Sequence, residues 1–221
     1  MAKPQPYSLK KTDARQEQQS FAAGQAIYTH STSGAAWRVL SGSVRLDRLE
    51  PNGEQNFANL AIKGDIIGAE TLLFDSYSFT ATALTPCLLT PWPEGCSAPA
   101  GDSLLHNMAK AERRAADVIA LRCGQAAERV RRLVFLLAAP GEASGEGYVE
   151  AIGEAIARPL QVTLPPRQDM ADITALTLET VSRMVSGLRR AGILKPLSTS
   201  GGVSTSRFSL AAIPLDLENA G

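Results

Sequence analysis

Turn signals recur at short intervals between residues 21 and 100, and this punctuation limits the fold more than any other feature of the chain. Between the turns, segments such as AWRVLSGSVRLDRLE alternate apolar and polar residues, which is typical of half-buried strands. Many short strands joined by regular turns predict a β-sandwich or β-barrel. The turn signals are Gly24, Ser33-Gly34, Gly42, Asn52-Gly53, Gly64-Asp65 and Gly68.

A helical segment follows the β region, with Asp102 or Ser103 placed to cap its first turn. Its apolar residues step by four, three, four and three, which is either a heptad seam between two helices or the core face of one helix. The pattern stops at Arg122, so we predict a hinge at Arg122–Gln125 and a second helix to about Ala139. The seam residues are Leu104, Met108, Ala111, Ala115 and Val118.

The C-terminal part predicts a helix-turn-helix followed by a wing. A short helix is expected from Arg167 to Ile173, then a turn over 174–176, and then a longer helix with Thr177 as its cap. Gly201 and Gly202 then mark the turn of a β-hairpin. In a helix-turn-helix, the second helix enters the major groove of DNA.

The longer helix has two chemically different faces. Glu179, Ser182 and Arg183, with Ser186 and Arg190, fall within about 60° of one direction on an ideal helix. Val181, Met184, Val185 and Leu188 fall on the opposite side. Such a helix is often a plain amphipathic surface helix, but the helix-turn-helix context favours DNA reading.

The side chains on the outer face suit the reading of base edges. Arginine pairs with guanine O6 and N7, glutamate accepts from cytosine N4, and serine bonds either a base edge or a phosphate. We therefore predict base reading by Glu179, Ser182 and Arg183. Flanking polar and basic residues are expected to contact the DNA backbone, namely Arg167, Thr177, Thr180, Ser186, Arg189, Arg190 and Lys195.

Composition argues against an enzyme or a metal site. The chain has only two histidines, His30 and His106, and three scattered cysteines, so it lacks the ligands of a metal-binding jelly roll. No nucleophile motif or phosphate-binding glycine loop is present. The formal net charge is zero, but residues 110–132 and 167–207 are basic. We expect a protein that is not an enzyme and holds no metal.

The first 20 residues lack the apolar core of a signal peptide, and no apolar run approaches the length of a membrane span. An odd number of cysteines fits a reducing compartment better than a disulfide framework. We expect a polar leader, a cytoplasmic location and no contact with a membrane.

The chain resembles the CRP/FNR family of transcription regulators over nearly its whole length. The resemblance rests on the helix-turn-helix segment RQDMADITALTLETVSRMVSGLRRAGIL and on four segments of the β region. It implies an α+β fold with a cyclic-nucleotide-binding-like jelly roll (21–100), a dimerisation helix and hinge (101–124) and a winged helix-turn-helix (125–221) after the leader (1–20). The β segments are FAAGQAIY, LSGSVRL, KGDIIGAETLLF and ATALTPCLL.

The resemblance also implies a DNA target and partners. Glu179, Ser182 and Arg183 match the Glu-x-x-Ser-Arg triad of the FNR branch, so the implied half-site is of the TTGAT type in an inverted repeat. Leu178 stands where the cyclic-AMP receptor branch has an arginine. A homodimer on double-stranded DNA is implied, with RNA polymerase as a further partner if the protein is an activator.

The sensory domain lacks the residue that holds a cyclic nucleotide in this family. The phosphate-binding arginine falls on Tyr77 or Phe79, and no lysine or arginine occurs between Lys63 and Lys110. A buried phosphate without a cation is costly, so we predict another small-molecule effector or none. The candidate pocket comprises Glu70, Thr71, Leu72, Tyr77, Ser78 and Phe79.

Sensing through an iron–sulfur cluster, haem or thiol oxidation would depend on the few cysteines and histidines of the chain. Three cysteines, none in the leader, do not make an iron–sulfur site. No cofactor is predicted, although haem on His30 or His106, or oxidation of Cys123 near the hinge, would make a redox-sensing regulator. A metabolite-binding scaffold with a degenerate DNA domain is the alternative from another class.

Overall fold

The computed structural model describes residues 18–93, 101–138, 160–199 and 202–211. Nearly all of the predicted leader, the side chain of Leu104 and the whole of Gly201 lie outside the described part. The architecture is a β-rich N-terminal unit, a long helix and a helical C-terminal unit with a small sheet. The predicted α+β fold class is therefore confirmed.

Two four-stranded antiparallel sheets form the N-terminal jelly roll. The strands are β1 (Gln19–Phe21), β2 (Ala26–Tyr28), β3 (Ala36–Ser41), β4 (Ser43–Leu49), β5 (Gln55–Ile62), β6 (Ile66–Ile67), β7 (Thr80–Ala83) and β8 (Cys87–Trp92). One sheet has the order β1-β8-β3-β6 and the other has the order β2-β7-β4-β5. Tyr28, Val39, Val44 and Leu89 are among the buried residues of the core between them.

Gly42 makes the tight link between β3 and β4. Its φ of 83° lies in the left-handed region, where a residue with a Cβ is strained. A Cβ here would also collide with the carbonyl oxygen of Pro86 and with Cys87. Two independent constraints therefore require glycine at this predicted turn.

The remaining elements are helices and one small sheet. They are α1 (Thr71–Phe74), α2 (Gly101–Ala120), α3 (Ala126–Ala138), β9 (Leu160–Thr163), α4 (Arg167–Thr174), α5 (Leu178–Arg190), β10 (Leu194–Thr199) and β11 (Gly202–Leu210). The small sheet has the order β10-β11-β9. A turn over 121–125, with Gly124 at φ 85°, separates α2 from α3 at the place of the predicted hinge. No helix in the described ranges is long and apolar enough to span a membrane.

One hydrophobic core joins the end of α2 to both units. Phe57 and Leu60 of the jelly roll, Leu121 after α2, and Val130 and Val181 of the C-terminal unit belong to the same buried cluster. The helix-turn-helix is therefore packed against the jelly roll and is not tethered to it only by a linker.

The assignment of Val118 to a dimer seam is wrong. Val118 is only 6% exposed and belongs to the chain's own core. The next residue, Ile119, is 66% exposed, because one residue turns the side chain by about 100° on a helix. The solvent-facing apolar stripe of α2 instead comprises Leu105, Met108, Ala111, Ala115 and Ile119.

Candidate nucleic-acid interface

Helix α5 starts at a defined cap. The Thr177 hydroxyl oxygen accepts a hydrogen bond from the backbone N–H of Thr180 at 3.2 Å and donates to the Thr180 hydroxyl at 2.9 Å. This satisfies one of the backbone donors that the first turn of a helix leaves unpaired. The cap that the sequence predicts is therefore confirmed, and it fixes where the outer face of α5 begins.

The apolar side of α5 anchors the helix as predicted. Val181 and Val185 are fully buried, and Met184 and Leu188 pack against the same core from partly buried positions. Because this side is fixed, the opposite side must face solvent.

The outer face of α5 carries the predicted base-reading residues. Glu179 and Arg183 are exposed one helical turn apart, and Ser182 between them is half-buried. Ser186 and Arg190 continue the same face and are exposed. Glu179 in the first turn and the arginines in the last turn also complement the helix dipole.

Two of the predicted backbone-contacting cations, Arg167 and Arg189, influence each other electrostatically. Arg167 opens α4 and Arg189 lies near the end of α5; partial burial lowers the pKa of Arg167, and the charge of Arg189 lowers it further. The Arg189 guanidinium carbon also lies 6.0 Å from the centre of the Phe208 ring. Arginine guanidinium groups suit phosphate oxygens, so both stay predicted backbone contacts. Lys195 is exposed on β10.

The turn between α4 and α5 is stabilised by contacts that the sequence does not predict. Ala175 has a φ of 52°, and the buried Thr174 hydroxyl donates to the Met170 carbonyl at 2.6 Å. Arg122 donates to the carbonyls of Asp172 and Ile173 at 3.1 and 3.2 Å. The sequence places Arg122 only in the predicted hinge, because its partners at the end of α4 are about fifty residues away.

Replacing Thr177 by alanine is expected to lower the free energy of unfolding by about 1 kcal/mol, because the first turn of α5 loses its cap. Thermal or urea unfolding of the purified variant measures this loss. Thr177→Ser keeps the hydroxyl and is the matched control, expected near wild type. Equal losses in both variants would show that the Thr177 methyl group matters and that the cap does not.

Tyr77, one of the candidate effector-pocket residues, is buried in the core of the jelly roll. The rings of Tyr28 and Tyr77 stack with centroids 3.8 Å apart and planes 8° apart. The Tyr77 hydroxyl donates to the carbonyl of Ala35 at 2.7 Å. Its ring lies so close to Gly34 and Gly68 that neither position has room for a Cβ. Burial raises the pKa of both tyrosine hydroxyls above the usual value.

The other pocket residues take structural positions. The Glu70 carboxylate accepts from the backbone N–H of Ser78 at 3.1 Å, and the buried Thr71 hydroxyl donates to the Gly68 carbonyl at 2.8 Å. Phe79 is half-buried beside the jelly-roll core. Leu72 is 46% exposed on α1, which is a single helical turn.

The candidates for redox sensing lie in different elements: His30 follows β2, His106 is on α2 and Cys123 is in the turn after α2. Cys123 is exposed, whereas Cys87 is buried and burial raises its thiol pKa to about 11. The His30 ring pairs with the Ser31 hydroxyl at 2.8 Å, and His106 is exposed on α2. Among the described residues, no group of histidine, cysteine and acidic side chains is arranged to hold a metal ion.

Two known families match separate regions of this chain, and individual relatives match most of its length. Residues 18–95 match the family of cyclic nucleotide-binding domains, and residues 166–194 match the crp family of bacterial regulatory proteins. The transcriptional regulator LdrP of Thermus thermophilus is 28% identical over 178 residues, which is 79% of this chain and 85% of LdrP. The nitrogen fixation regulation protein FixK of Bradyrhizobium diazoefficiens is 28% identical over 83% of this chain and 76% of its own length.

The chain is similar to the CRP/FNR family of transcription regulators in both matched regions. Solved structures show the same similarity. A transcriptional regulator of the CRP family from Thermus thermophilus matches with a TM-score of 0.59 and 25% identity, covering 87% of this chain and 91% of that one. FixK2 from Bradyrhizobium japonicum shares the fold, with a TM-score of 0.60 and 24% identity over 88% and 91% of the two chains. These similarities support a DNA-binding transcription regulator.

Proposed function

We propose that this regulator binds an inverted repeat of TTGAT-type half-sites as a homodimer and needs no small-molecule effector to do so. The observation that carries the DNA target is the exposed arrangement of Glu179, Ser182 and Arg183 on a capped and anchored helix. Arginine and glutamate one turn apart suit neighbouring G·C pairs. A two-fold dimer then reads the two half-sites of a palindrome.

The exposed apolar stripe of α2 supports the homodimer. Leu105, Met108 and Ile119 are each at least 60% exposed, and the small residues Ala111 and Ala115 lie between them on the same side. Exposed large apolar residues on one helix face are costly in water. Pairing with the same stripe of a second copy would bury them, and small residues allow two helices to approach closely.

The buried position of Tyr77 supports independence from an effector. Tyr77 occupies the space between Gly34 and Gly68, and its hydroxyl is already hydrogen-bonded. The sequence between Lys63 and Lys110 supplies no lysine or arginine to neutralise a phosphate. A phosphate-bearing ligand would therefore have to displace a buried aromatic ring and leave its own charge unpaired, and both are costly.

Binding of purified protein to a labelled TTGAT inverted repeat, with no effector added, tests this proposal. We expect at least about a thousandfold preference over unrelated DNA, and added cyclic AMP should leave the affinity unchanged. A repeat with its half-sites moved apart by half a helical turn is the matched control, because a two-fold dimer cannot reach both. Specific binding that appears only with a ligand would contradict effector independence.

A further inference from the structure

An ion-pair cluster joins the jelly roll directly to the helix-turn-helix. Arg45 on β4 donates from Nε to Asp47 at 2.7 Å on its own strand. Its Nη1 donates to Asp169 at 3.2 Å and to Asp172 at 3.1 Å, both on α4. The Arg45 side chain is only 14% exposed, so one guanidinium largely withdrawn from water is shared by three carboxylates.

Phe57 extends this contact to the hinge. Its ring centre lies 5.8 Å from the guanidinium carbon of Arg45 and 5.2 Å from that of Arg122, both within the range of a cation–π interaction. Arg122 in turn donates to the last carbonyls of α4, where a cation also complements the helix dipole. Helix α4 is therefore held from the jelly roll and from the hinge at once.

The position of α4 determines where the reading face points. The helices α4 and α5 pack together in one core, so an element that fixes α4 against the jelly roll also fixes α5. In this arrangement Glu179 and Arg183 are exposed. We propose that Arg45, Asp169 and Asp172 form an interdomain latch that holds the reading face of α5 outward without any bound ligand.

The latch also predicts an effect on palindrome binding, and this part rests on the proposed dimer function. Two reading helices must be correctly placed at the same time to bind both half-sites. If the competent arrangement is only partly populated, the apparent Kd rises by the inverse of that fraction. A single half-site needs no fixed relation between the units, so its Kd should change little.

Hydrogen–deuterium exchange of the DNA-free protein tests the latch directly. In Arg45→Gln we expect faster exchange of amides in 167–176 and in the hinge, because α4 separates more often from β4. Asp169→Asn/Asp172→Asn should give the same pattern, and adding it to Arg45→Gln should increase exchange no further. Arg48→Gln is the matched control, since Arg48 is exposed on the same strand and outside the cluster. Exchange in Arg45→Gln equal to wild type would overturn the latch.

The DNA measurement then tests what the latch does. If Arg45→Gln lowers the competent fraction to about a tenth, its Kd for the inverted repeat should rise about tenfold while the half-site Kd stays constant. Faster exchange with an unchanged Kd for the repeat would overturn the role in presenting the reading face. Failure of the wild-type protein to bind the repeat would overturn the proposed function but would leave the exchange result intact.

Discussion

Arg114→Ala should lower the free energy of unfolding by about 3–5 kcal/mol, the usual loss when one partner of a buried ion pair is removed. Arg114 on α2 is 5% exposed and donates to Asp65 at 2.9 Å and to Asp117 at 3.1 Å. Asp65 also accepts from the backbone N–H of Ile62 at 2.9 Å. Without Arg114, the Asp65 carboxylate stays buried beside α2 and has lost the cation that balances it.

Urea unfolding at several protein concentrations measures this effect and separates it from any loss of dimer. The double variant Arg114→Ala/Asp65→Asn removes both charges and is the control. It should be more stable than Arg114→Ala alone, because no buried charge is left unpaired. A double variant less stable than the single one would show that α2 is held by packing and that the ion pair contributes little.

The jelly roll could be predicted because its turns are encoded locally. Gly42 is an example, since its conformation depends on the adjacent strands and glycine alone meets it. The helix-turn-helix could be predicted equally well, because the cap at Thr177 and the apolar spacing of α5 are properties of a short segment. Helix boundaries differ from the predicted ones by only a residue or two.

The contacts between units could not be predicted in the same way. Arg45 and Asp172 are 127 residues apart, and no periodicity relates a strand residue to a helix that packs on it later. The assignment of Val118 to the dimer seam was wrong for a related reason. A heptad pattern gives the spacing of apolar residues, but it does not say which side of the helix the rest of the chain will cover. The sequence shows that the family's phosphate-binding arginine is replaced at Tyr77 or Phe79, while the stacking of Tyr77 on Tyr28 required the fold.

Arg183→Ala should lose about 1–3 kcal/mol of binding free energy per half-site, because one bidentate contact to guanine disappears. This corresponds to about a 5- to 150-fold weaker Kd per half-site. The loss should be confined to the cognate repeat, and preference at the contacted G·C pair should relax. Competition binding against half-sites substituted at each position measures both effects at fixed salt.

Arg190→Ala is the matched control for this change, since it removes the same side chain from the same outer face two turns later. Arg190 is exposed near the C-terminal end of α5 and is proposed to contact a phosphate. Its loss should weaken binding to all DNA sequences equally. It should also lower the salt dependence of binding by the amount expected for about one phosphate contact. If Arg183→Ala behaved like Arg190→Ala, with uniform weakening and intact selectivity, Arg183 would be a phosphate contact. Base reading would then have to come from Glu179 and Ser182.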